Sequence, residues 1–317
     1  MARQVRIAAV SRIKQPVPLP REAYIAHCIR QAEEAGRAGC DVCLLPEHFD
    51  SFGAAECEPD DGGIYDGTTD RRALYRAVAE EIPGPMTERF GRVCREYGMY
   101  VIADYAERSG ETFYNTAVII GRDGEVAGRY RKTHLCASEK RCYGVDAGDE
   151  LPVFDLDFGR IGIAICMDMY FPEVFRVLTL KGAEMIFWPH QTYGPSEETI
   201  LITARARAID YCCYLVGANF ASPGYYAPYE RGHEFTGRAV VINPDGVILA
   251  DTGHYPGAAL ADIDLDTPRL GKDIAAARRD GVDRIREDLL RFRRPELYKE
   301  IVRSCDNEAV RSGKFLD

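Results

Sequence analysis

Residues 160–173 read Arg-Ile-Gly-Ile-Ala-Ile-Cys-Met-Asp-Met-Tyr-Phe-Pro-Glu. The isoleucines alternate with small residues up to Cys166, which predicts a short buried strand that ends at the thiol. Pro172 and Glu173 suit the first turn of a helix, because proline lacks an N–H that would be unpaired there and a carboxylate complements the helix dipole. We expect backbone N–H groups at this strand-to-helix elbow to lower the pKa of the thiol, which favours a nucleophile. The alternative interpretation is a buried structural cysteine.

The composition indicates a folded, acidic chain. Its 317 residues are 46% hydrophobic, enough for one large domain or two small ones. The 40 Lys and Arg residues against 50 Asp and Glu residues give a formal net charge of -10, which argues against nucleic-acid or anionic-membrane partners and leaves small molecules. No apolar stretch is long enough for a signal peptide or a membrane span. Eleven cysteines, an odd number, indicate reduced thiols, so we expect a cytoplasmic protein.

A second reactive side chain follows another predicted strand. Residues 5–11 predict a first strand, the apolar spacing over 21–38 predicts a helix with one buried face, and residues 41–46 predict a second buried strand. Glu47 stands immediately after that second strand. Because ligands bind at the carboxyl ends of strands in layered α/β folds, Glu47 and Cys166 could share a site. A solvated loop carboxylate is the alternative for Glu47.

The remaining pattern alternates strands with helices and includes two hairpins. Helices are predicted over 86–98, 172–181 and from 196, strands over 99–105, 185–189, 214–218 and 258–263, and hairpins over 112–131 and 235–252. Lys132 follows the first hairpin, at another strand end. No linker or low-complexity segment divides the chain. We therefore predict a single α/β domain over residues 1–317 with two similar halves.

Two charged segments lie outside this alternation. Residues 50–70 carry seven acidic groups and no Lys or Arg, which predicts a mobile, solvated loop insertion. An acidic lid that selects cationic substrates is the alternative. The arginines of residues 278–294 are interleaved with carboxylates, which favours a solvated helix face over an anion-binding patch.

Three short motifs follow one another along the chain. They are Leu-Pro-Glu at 45–47, Tyr-Arg-Lys-Thr-His-Leu at 130–135, and Cys-Met-Asp at 166–168 followed by Phe-Pro-Glu at 171–173. In this order they closely resemble the catalytic motifs of the nitrilase superfamily of carbon–nitrogen hydrolases. The resemblance spans nearly the whole chain, including Arg-Ala-Arg-Ala at 205–208, Asn-Pro-Asp-Gly at 243–246 and Arg-Pro-Glu-Leu-Tyr at 294–298.

The resemblance implies a fold and a set of partners. The fold is an α-β-β-α sandwich, which pairs through helices into a homodimer or larger homo-oligomer with a four-layered α-β-β-α-α-β-β-α core. We expect the tail at about 285–317 to take part in this oligomerisation. The implied partner is a small amide, carbamoyl or nitrile compound, and we expect no metal, no cofactor, no nucleic acid and no membrane.

The resemblance also implies a role for each reactive side chain. Cys166 attacks the substrate and forms a covalent acyl-enzyme, but a free thiol with a pKa of about 8.5 is mostly neutral at pH 7, so a base must take its proton. Glu47 is that base, and it later protonates the leaving amine and activates water. Lys132 stays charged and stabilises the oxyanion with the N–H of Met167. Glu139 matches the family's second glutamate, which orients the lysine and the substrate, and the segment after it is longer than the common spacing.

The residues after the catalytic cysteine bear on the substrate class. True nitrilases typically place Trp-Glu there, whereas this chain has Met167 and Asp168, which favours an amide or carbamoyl substrate over a nitrile. D-amino-acid carbamoylases resemble this chain around 139–141 but hold a carboxylate with arginines where this chain has Met169 and Tyr170. We therefore expect neutral or cationic amides and carbamoyl amines, with N-carbamoyl amino acids and nitriles as alternatives.

Further residues complete the predicted site or flank it. Asp168, Tyr170 and His190 are candidates for substrate binding, beside the oxyanion donor Met167. His134, like His48, is adjacent to a catalytic candidate, and both histidines are interpreted as supporting or packing residues rather than ligands.

Other classes of function have weaker support. Cys40 and Cys43 have the spacing of a zinc or redox pair, but no second pair lies at zinc-ribbon distance and they lead into a strand rather than a helix. The chain has no Gly-x-Ser-x-Gly elbow, phosphate-binding glycine loop or His-Glu-x-x-His motif. A catalytically silent scaffold is the non-enzyme alternative, and the joint presence of Glu47, Lys132 and Cys166 argues against it.

Overall fold

The computed structural model describes residues 3–13, 19–52, 54, 71–192, 197–221, 237–266 and 292–302. Most of the predicted loop at 50–70 and most of the predicted tail at 285–317 lie outside these residues, so both stay predictions. None of the described helices combines the length and the apolar character needed to cross a membrane.

The described strands and helices follow the predicted alternation. The first half contains β1 (Gln4–Ile13), α1 (Arg21–Arg37), β2 (Val42–Leu44), α2 (Arg72–Val78), α3 (Pro85–Tyr97), β3 (Tyr100–Ser109), β4 (Thr112–Ile120) and β5 (Val126–Arg131). The second half contains β6 (Val153–Leu156), β7 (Gly159–Ile163), α4 (Pro172–Leu180), β8 (Met185–Pro189), α5 (Glu197–Tyr211), β9 (Tyr214–Ala221), β10 (Val240–Ile242), β11 (Ile248–Asp251) and β12 (Gly257–Asp264).

Several short elements were not predicted. The helix α2 and a one-turn π-helix at Glu139–Tyr143 span too few residues to show a hydrophobic period. The predicted elbow does not pass directly from strand to helix, because a 3₁₀ turn at Cys166–Tyr170 precedes α4. Near the C-terminus, two further 3₁₀ turns occupy Pro295–Leu297 and Lys299–Val302.

The strands form two halves that join at their centre. Their order is β5-β4-β3-β2-β1-β9-β8-β7-β6, with β12 paired to β1 and with β10 and β11 extending from β9. The halves join where residues 11–13 of β1 pair in parallel with residues 219–221 of β9. Within each half, parallel strands at the centre give way to antiparallel hairpins toward the outside.

Three apolar cores define the layers. Ile7 and Ala9 of β1 face a central core shared by the strands of both halves, while Ala8 and Val10 face a core beneath α1 and α3. This division follows from the alternation of side chains along a strand. A third core, which includes Phe175, lies beneath α4 and α5. The predicted α-β-β-α sandwich is confirmed, and the pairing of two copies stays a prediction.

The parallel strands bring the reactive side chains to one edge. Because β2, β1, β9, β8 and β7 run parallel, their carboxyl ends point the same way. Glu47 follows β2, Cys166 follows β7 and His190 follows β8 directly. This edge is where ligands bind in layered α/β folds.

Candidate active site

The cysteine elbow, residues 165–168, turns the chain from β7 toward α4. Cys166 has a φ of +42°, a left-handed conformation that is uncommon for a residue with a side chain. The Trp188 indole N–H donates to the Cys166 carbonyl oxygen over 3.1 Å, while the cysteine itself stays partly exposed. Strained residues of this kind persist where the surrounding contacts fix them, commonly in active sites. The structure thus places Cys166, a partly buried residue, in the turn at the end of β7.

The Asp168 carboxylate connects the cysteine elbow to the segment that follows β5. The Ile165 N–H and the Tyr130 hydroxyl donate to Oδ2 over 2.8 and 2.7 Å. The Thr133 hydroxyl and the His134 N–H each donate to Oδ1 over 3.1 Å. Asp168 is fully buried. The sequence predicts that Asp168 binds substrate, whereas these contacts favour a role in positioning the elbow, because protein donors already occupy both oxygens.

Glu47, Asn115, Lys132 and Glu139 form a buried charged centre. The Lys132 ammonium donates to Oε1 of Glu47 over 2.8 Å and to Oε1 of Glu139 over 2.9 Å. Lys132 is 1% exposed, and the two glutamates are 3% and 6% exposed. The backbone supports this arrangement, since the Lys132 N–H donates to the Asn115 carbonyl oxygen over 2.9 Å. The structure therefore brings Glu47 into contact with Lys132, which lies 85 residues later in the sequence.

The charged centre favours the ionised forms of Lys132 and Glu139. Burial opposes the charge on Lys132, but Glu47, the nearby Cys166 sulfur and Glu139 raise the pKa of the ammonium well above its ordinary value. Burial likewise opposes the charge on Glu139, but Lys132 and the Asn115 amide lower the pKa of that carboxyl below its ordinary value. At neutral pH Lys132 is a cation and Glu139 an anion.

Cys166 differs from this pattern. Burial of the sulfur, followed by the negative charge of Glu47, raises the pKa of the Cys166 thiol well above its ordinary value. The Lys132 charge and the Gln191 backbone N–H act in the opposite direction and are outweighed. The prediction of a lowered thiol pKa is therefore wrong for the free enzyme. The sequence shows the elbow but not the depth of the sulfur or its distance from Glu47.

Asn115 was given no role by the sequence analysis. Its side-chain N–H₂ donates to Oε1 of Glu47 over 2.9 Å and to Oε1 of Glu139 over 2.8 Å. The residue lies on β4 and is fully buried. A signal was present in the sequence, because asparagine is depleted in strands and here stands among the β-branched and aromatic residues that make up most of β4.

Gln191 was also missed. Its side-chain amide donates to the backbone oxygen of Glu47 over 3.1 Å, and its backbone N–H interacts with the sulfur of Cys166. This residue therefore connects the strand end that carries the base to the strand end that carries the nucleophile. Contacts between residues so far apart in sequence leave no local pattern to detect.

The structure places His190 beneath the elbow. The imidazole is fully buried and stacks on Trp188, with ring centroids 3.4 Å apart and an interplanar angle of 9°. Its Nδ1 lies 2.6 Å from the Thr192 hydroxyl. Burial lowers the pKa of His190 well below its ordinary value, so the ring is neutral. These contacts favour support of Trp188, which holds the Cys166 carbonyl, over the predicted contact with substrate.

The two histidines that flank catalytic candidates contact carboxylates. The His48 N–H donates to Oδ1 of Asp104 over 2.8 Å, in a turn where His48 has a φ of +47°. The Nδ1 atom of His134 lies 2.8 Å from Oδ1 of Asp168, and its ring stacks on Phe171 at 3.8 Å between centroids. These contacts agree with the interpretation of both histidines as supporting residues.

The long segment after Glu139 is accommodated by the π-helix. The wide turn of a π-helix takes up additional residues, and such turns occur frequently at functional sites. Here the Val145 N–H donates to the Glu139 carbonyl oxygen over 3.0 Å, and Gly144 ends the turn with a φ of +65°. The Cys136 N–H donates to Oε2 of Glu139 over 2.8 Å. Glu139 therefore reaches Lys132 despite the unusual spacing.

Two predicted substrate contacts lie beside the nucleophile. Tyr170 is 54% exposed, and burial together with the nearby Cys166 sulfur raises its pKa. Met167 follows the nucleophile in the 3₁₀ turn and is half-buried. Substrate binding by Tyr170 and oxyanion stabilisation by the Met167 N–H stay predictions.

Other reactive clusters are weak candidates. Across the described ranges, no group of three or more His, Cys, Asp or Glu side chains could hold a metal ion. Burial raises the pKa of Cys40 to about 11 and that of Cys43 well above its ordinary value, so neither thiol readily forms the thiolate that binds metal or exchanges disulfides.

Comparisons with known proteins identify the family of the chain. Residues 6–272 match the family model for carbon-nitrogen hydrolases. A nitrilase of Pyrococcus abyssi is 31% identical over 274 residues, which cover 84% of this chain and 89% of that protein. A deaminated glutathione amidase of Bos taurus is 30% identical over 299 residues, which cover 88% of this chain and 79% of that protein.

A solved structure shares the fold. It is a mutant of the amidase from Nesterenkonia sp. AN1, with the acetamide moiety of fluoroacetamide added covalently at the active-site cysteine. The two structures align with a TM-score of 0.69 at 22% identity, over 93% of this chain and 96% of that one. The family model covers most of the sequence, and the relatives include named amidases and a nitrilase. This chain therefore belongs to the carbon-nitrogen hydrolase family of the nitrilase superfamily and is an amidase-type hydrolase.

Proposed function

We propose that this protein cleaves the non-peptide C–N bond of a small linear amide or N-carbamoyl amine through a covalent intermediate on Cys166. One observation carries the proposal: Lys132 holds Glu47 and Glu139 in a buried centre whose charges act on the Cys166 sulfur. The covalent adduct at the active-site cysteine of the Nesterenkonia amidase supports the same kind of intermediate here.

The first step moves a proton from Cys166 to Glu47. Both Lys132 and Asn115 donate to Oε1 of Glu47, whereas none of the described residues donates to Oε2. Oε2 is therefore the atom that takes the Sγ proton. The thiolate attacks the carbonyl carbon, a C–S bond forms, and the C=O electron pair moves onto oxygen.

The oxyanion then needs positive charge. Lys132, which stays protonated, supplies it together with the N–H of Met167, and a well-placed donor of this kind contributes about 3–4 kcal/mol to the stability of the transition state. As the intermediate collapses, protonated Glu47 gives its proton to the nitrogen and the C–N bond breaks. Ammonia or an amine leaves, and the acyl group stays on Cys166 as a thioester.

The second half of the reaction reverses these roles. Glu47 takes a proton from water, the hydroxide attacks the thioester carbon, and the second oxyanion is stabilised by the same donors. Collapse breaks the C–S bond, releases the carboxylic or carbamic acid, and returns the proton to Cys166. Glu139 keeps Lys132 oriented throughout, because it contacts the ammonium through both carboxylate oxygens.

The substrate class follows from the residues near the nucleophile. Tyr170 stands where carbamoylases of acidic substrates have an arginine, so this position offers no cation to a substrate carboxylate. The charged centre has two carboxylates and one ammonium, which disfavours anionic acyl groups. Neutral or cationic amides and carbamoyl amines fit best. The nitrilase relative makes nitriles the second candidate.

Ammonia release from a panel of aliphatic amides, N-carbamoyl amines, N-carbamoyl amino acids and nitriles tests the proposal. Purified wild type is compared with Cys166→Ala and with the control Cys94→Ala, which removes a buried thiol of α3. We expect release from amides or carbamoyl amines by wild type and the control, and none by Cys166→Ala. Equal ammonia release by Cys166→Ala would show that Cys166 is not the nucleophile. No release from any class by folded wild type would favour the scaffold alternative.

We also propose that two copies pair through the outer helices. Ile202 on α5 is 63% exposed and Leu180 at the end of α4 is 42% exposed, so the helical layer offers two apolar side chains to a second copy. Light scattering coupled to size exclusion should give the mass of a dimer or larger assembly, and Ile202→Glu should lower it. A wild-type monomer at micromolar concentration would contradict this proposal.

A further inference from the structure

Asn115 makes an unusual set of contacts for a neutral side chain. Its two amide hydrogens point to the same two oxygen atoms, Oε1 of Glu47 and Oε1 of Glu139, that the Lys132 ammonium contacts. Two donors thus share two acceptors in a closed ring of four hydrogen bonds between 2.8 and 2.9 Å. The side chain is fully buried.

We propose that Asn115 is a positioning residue that fixes which oxygen of Glu47 accepts the proton of Cys166. This inference rests on the proposed function. Asn115 does not touch the reacting atoms, and it acts through the carboxylate that does.

The geometry of the amide explains why Lys132 does not suffice. An ammonium on a flexible stem has three rotatable donors, so by itself it can contact either oxygen of a carboxylate. The planar amide of Asn115 donates in two fixed directions. With Asn115 in place, Oε1 of Glu47 accepts from both groups, and Oε2 is the oxygen left without a donor among the described residues. Without Asn115, the Glu47 carboxylate could rotate and present an oxygen already bonded to Lys132.

The orientation of the amide is set by its surroundings. If the amide were reversed, its oxygen would face two carboxylate oxygens, which is repulsive. In the observed orientation, Oδ1 of Asn115 has no hydrogen-bond partner among the described residues. An unpartnered buried oxygen destabilises a fold, so the two bonds to Glu47 and Glu139 are the interactions that favour an asparagine here.

Several titratable groups surround the carboxylates of Glu47 and Glu139, which accept from Lys132 and Asn115. The groups that interact electrostatically with one or both of these carboxylates are Lys132, Cys136, Cys166, His48, Asp104 and Tyr75. Burial lowers the pKa of His48, so its imidazole is neutral at pH 7, and burial raises the pKa of the Asp104 carboxyl. Lys132 is then the one cation in this set, and the Asn115 amide supplies further stabilisation of the two anions.

Removing the amide therefore affects both rate and pH dependence. With two donors lost, the carboxylates hold protons more tightly, so the acid limb of the profile of kcat/KM moves to higher pH. A hydrogen bond to a charged group contributes roughly 1.5–3 kcal/mol, so kcat should fall by about 10- to 100-fold. KM should change little, because the amide does not touch substrate.

The test compares Asn115→Ala with Thr116→Val, the neighbouring residue on β4. Thr116 is also fully buried, and its hydroxyl donates to Glu107 over 2.7 Å, outside the charged centre. Two readouts are followed over about five pH units, from about pH 5 to about pH 10, a range chosen for the carboxyl and thiol titrations. The first is kcat and KM with an amide from the panel. The second is alkylation of Cys166 by iodoacetamide, measured by peptide mass spectrometry. Both readouts should change in Asn115→Ala and stay near wild type in Thr116→Val.

Three outcomes are distinguishable. A fall in kcat with a displaced acid limb in Asn115→Ala alone supports the inference. Wild-type kcat and an unmoved profile in folded Asn115→Ala overturn it, even if Cys166 is the selectively alkylated thiol of wild type and the proposed function stands. If Cys166 of wild type is no more reactive than the other thiols and no substrate is turned over, the proposed function fails, and the inference fails with it.

A second variant covers the case in which Asn115→Ala does not fold. Asn115→Asp keeps the shape of the side chain, but an ionised carboxylate cannot donate and repels the two glutamates. We expect a loss of kcat at least as large as in the alanine variant. Wild-type kcat in folded Asn115→Asp would also overturn the inference.

Discussion

The charged centre and the cysteine elbow lie at the same edge of the sandwich but are stabilised differently. In the charged centre, Lys132 and Asn115 donate to two buried glutamates and lower the pKa of Glu139 despite its burial. In the elbow, burial and the charge of Glu47 hold the Cys166 thiol neutral. The first half of the chain thus supplies ionised groups and the second half a protonated nucleophile. In the proposed mechanism, the transfer of a proton between the halves, from Cys166 to Glu47, starts the reaction.

Of the variants considered, Glu47→Gln should reduce turnover the most. The amide cannot accept the thiol proton, so we expect turnover to fall by about 10⁴-fold, the upper range for loss of a general base. Folding should persist, because Gln keeps the shape of the side chain and the Lys132–Glu139 pair remains. Steady-state rates beside a melting curve measure both effects. Near-normal turnover in a folded variant would remove Glu47 from the mechanism.

Lys132→Met tests the charged centre as a structural unit. Removing the cation leaves two buried carboxylates without their ion-pair partner, which destabilises a protein by about 3–5 kcal/mol when one partner of a buried pair is lost. Urea unfolding gives this difference directly. Arg160→Met is the control, because Arg160 pairs with Asp155 at the exposed surface, where water and salt screen the ion pair, and its loss should change the free energy of unfolding far less. Equal losses in the two variants would show that burial of the centre does not matter.

Asp168→Asn tests the cysteine elbow without changing its shape. One carboxylate oxygen becomes an N–H₂ group that faces donors. At least one of the hydrogen bonds that Ile165, Tyr130 and His134 donate to Asp168 is therefore lost. We expect a loss of roughly 1–3 kcal/mol in stability, the cost of an unsatisfied buried polar group. The kcat should fall because the elbow carries Cys166. If Asp168 instead binds substrate, KM should rise while stability stays at the wild-type value.

The charged centre and the cysteine elbow differ in how much of their structure the sequence predicted. Strand-end positions and the resemblance to a known family identified Glu47, Lys132 and Cys166 as candidate partners. The alternation of strands and helices predicted an α/β domain, and the resemblance implied the α-β-β-α sandwich. Asn115 and Gln191 could not be assigned, because their roles depend on contacts with residues far away in the sequence. The direction of the Cys166 pKa was predicted wrongly, since burial and the approach of Glu47 exist only in the folded chain.

The smallest expected effect concerns stability at acid pH. Lys132 and Asn115 lower the pKa of Glu139 in the folded state despite its burial, so the unfolded chain binds the Glu139 proton more tightly than the folded one. This carboxyl therefore contributes stability above its unfolded pKa, and the contribution is lost as the pH falls through its folded pKa. The stability difference between wild type and Glu139→Gln should shrink as the pH falls. A constant difference between pH 7 and pH 3, a span of about four units around the carboxyl titration, would contradict this.

The pH dependence of Cys166 alkylation by iodoacetamide, in wild type and in Glu47→Gln, tests the central claim most directly. A neutral thiol held by burial and by the Glu47 charge predicts that the wild-type rate rises only above the ordinary titration range of a thiol. Glu47→Gln removes one of those causes, so its profile should move to lower pH even though turnover is lost. Identical profiles, or a wild-type thiol that ionises at or below its ordinary pKa, would contradict the account.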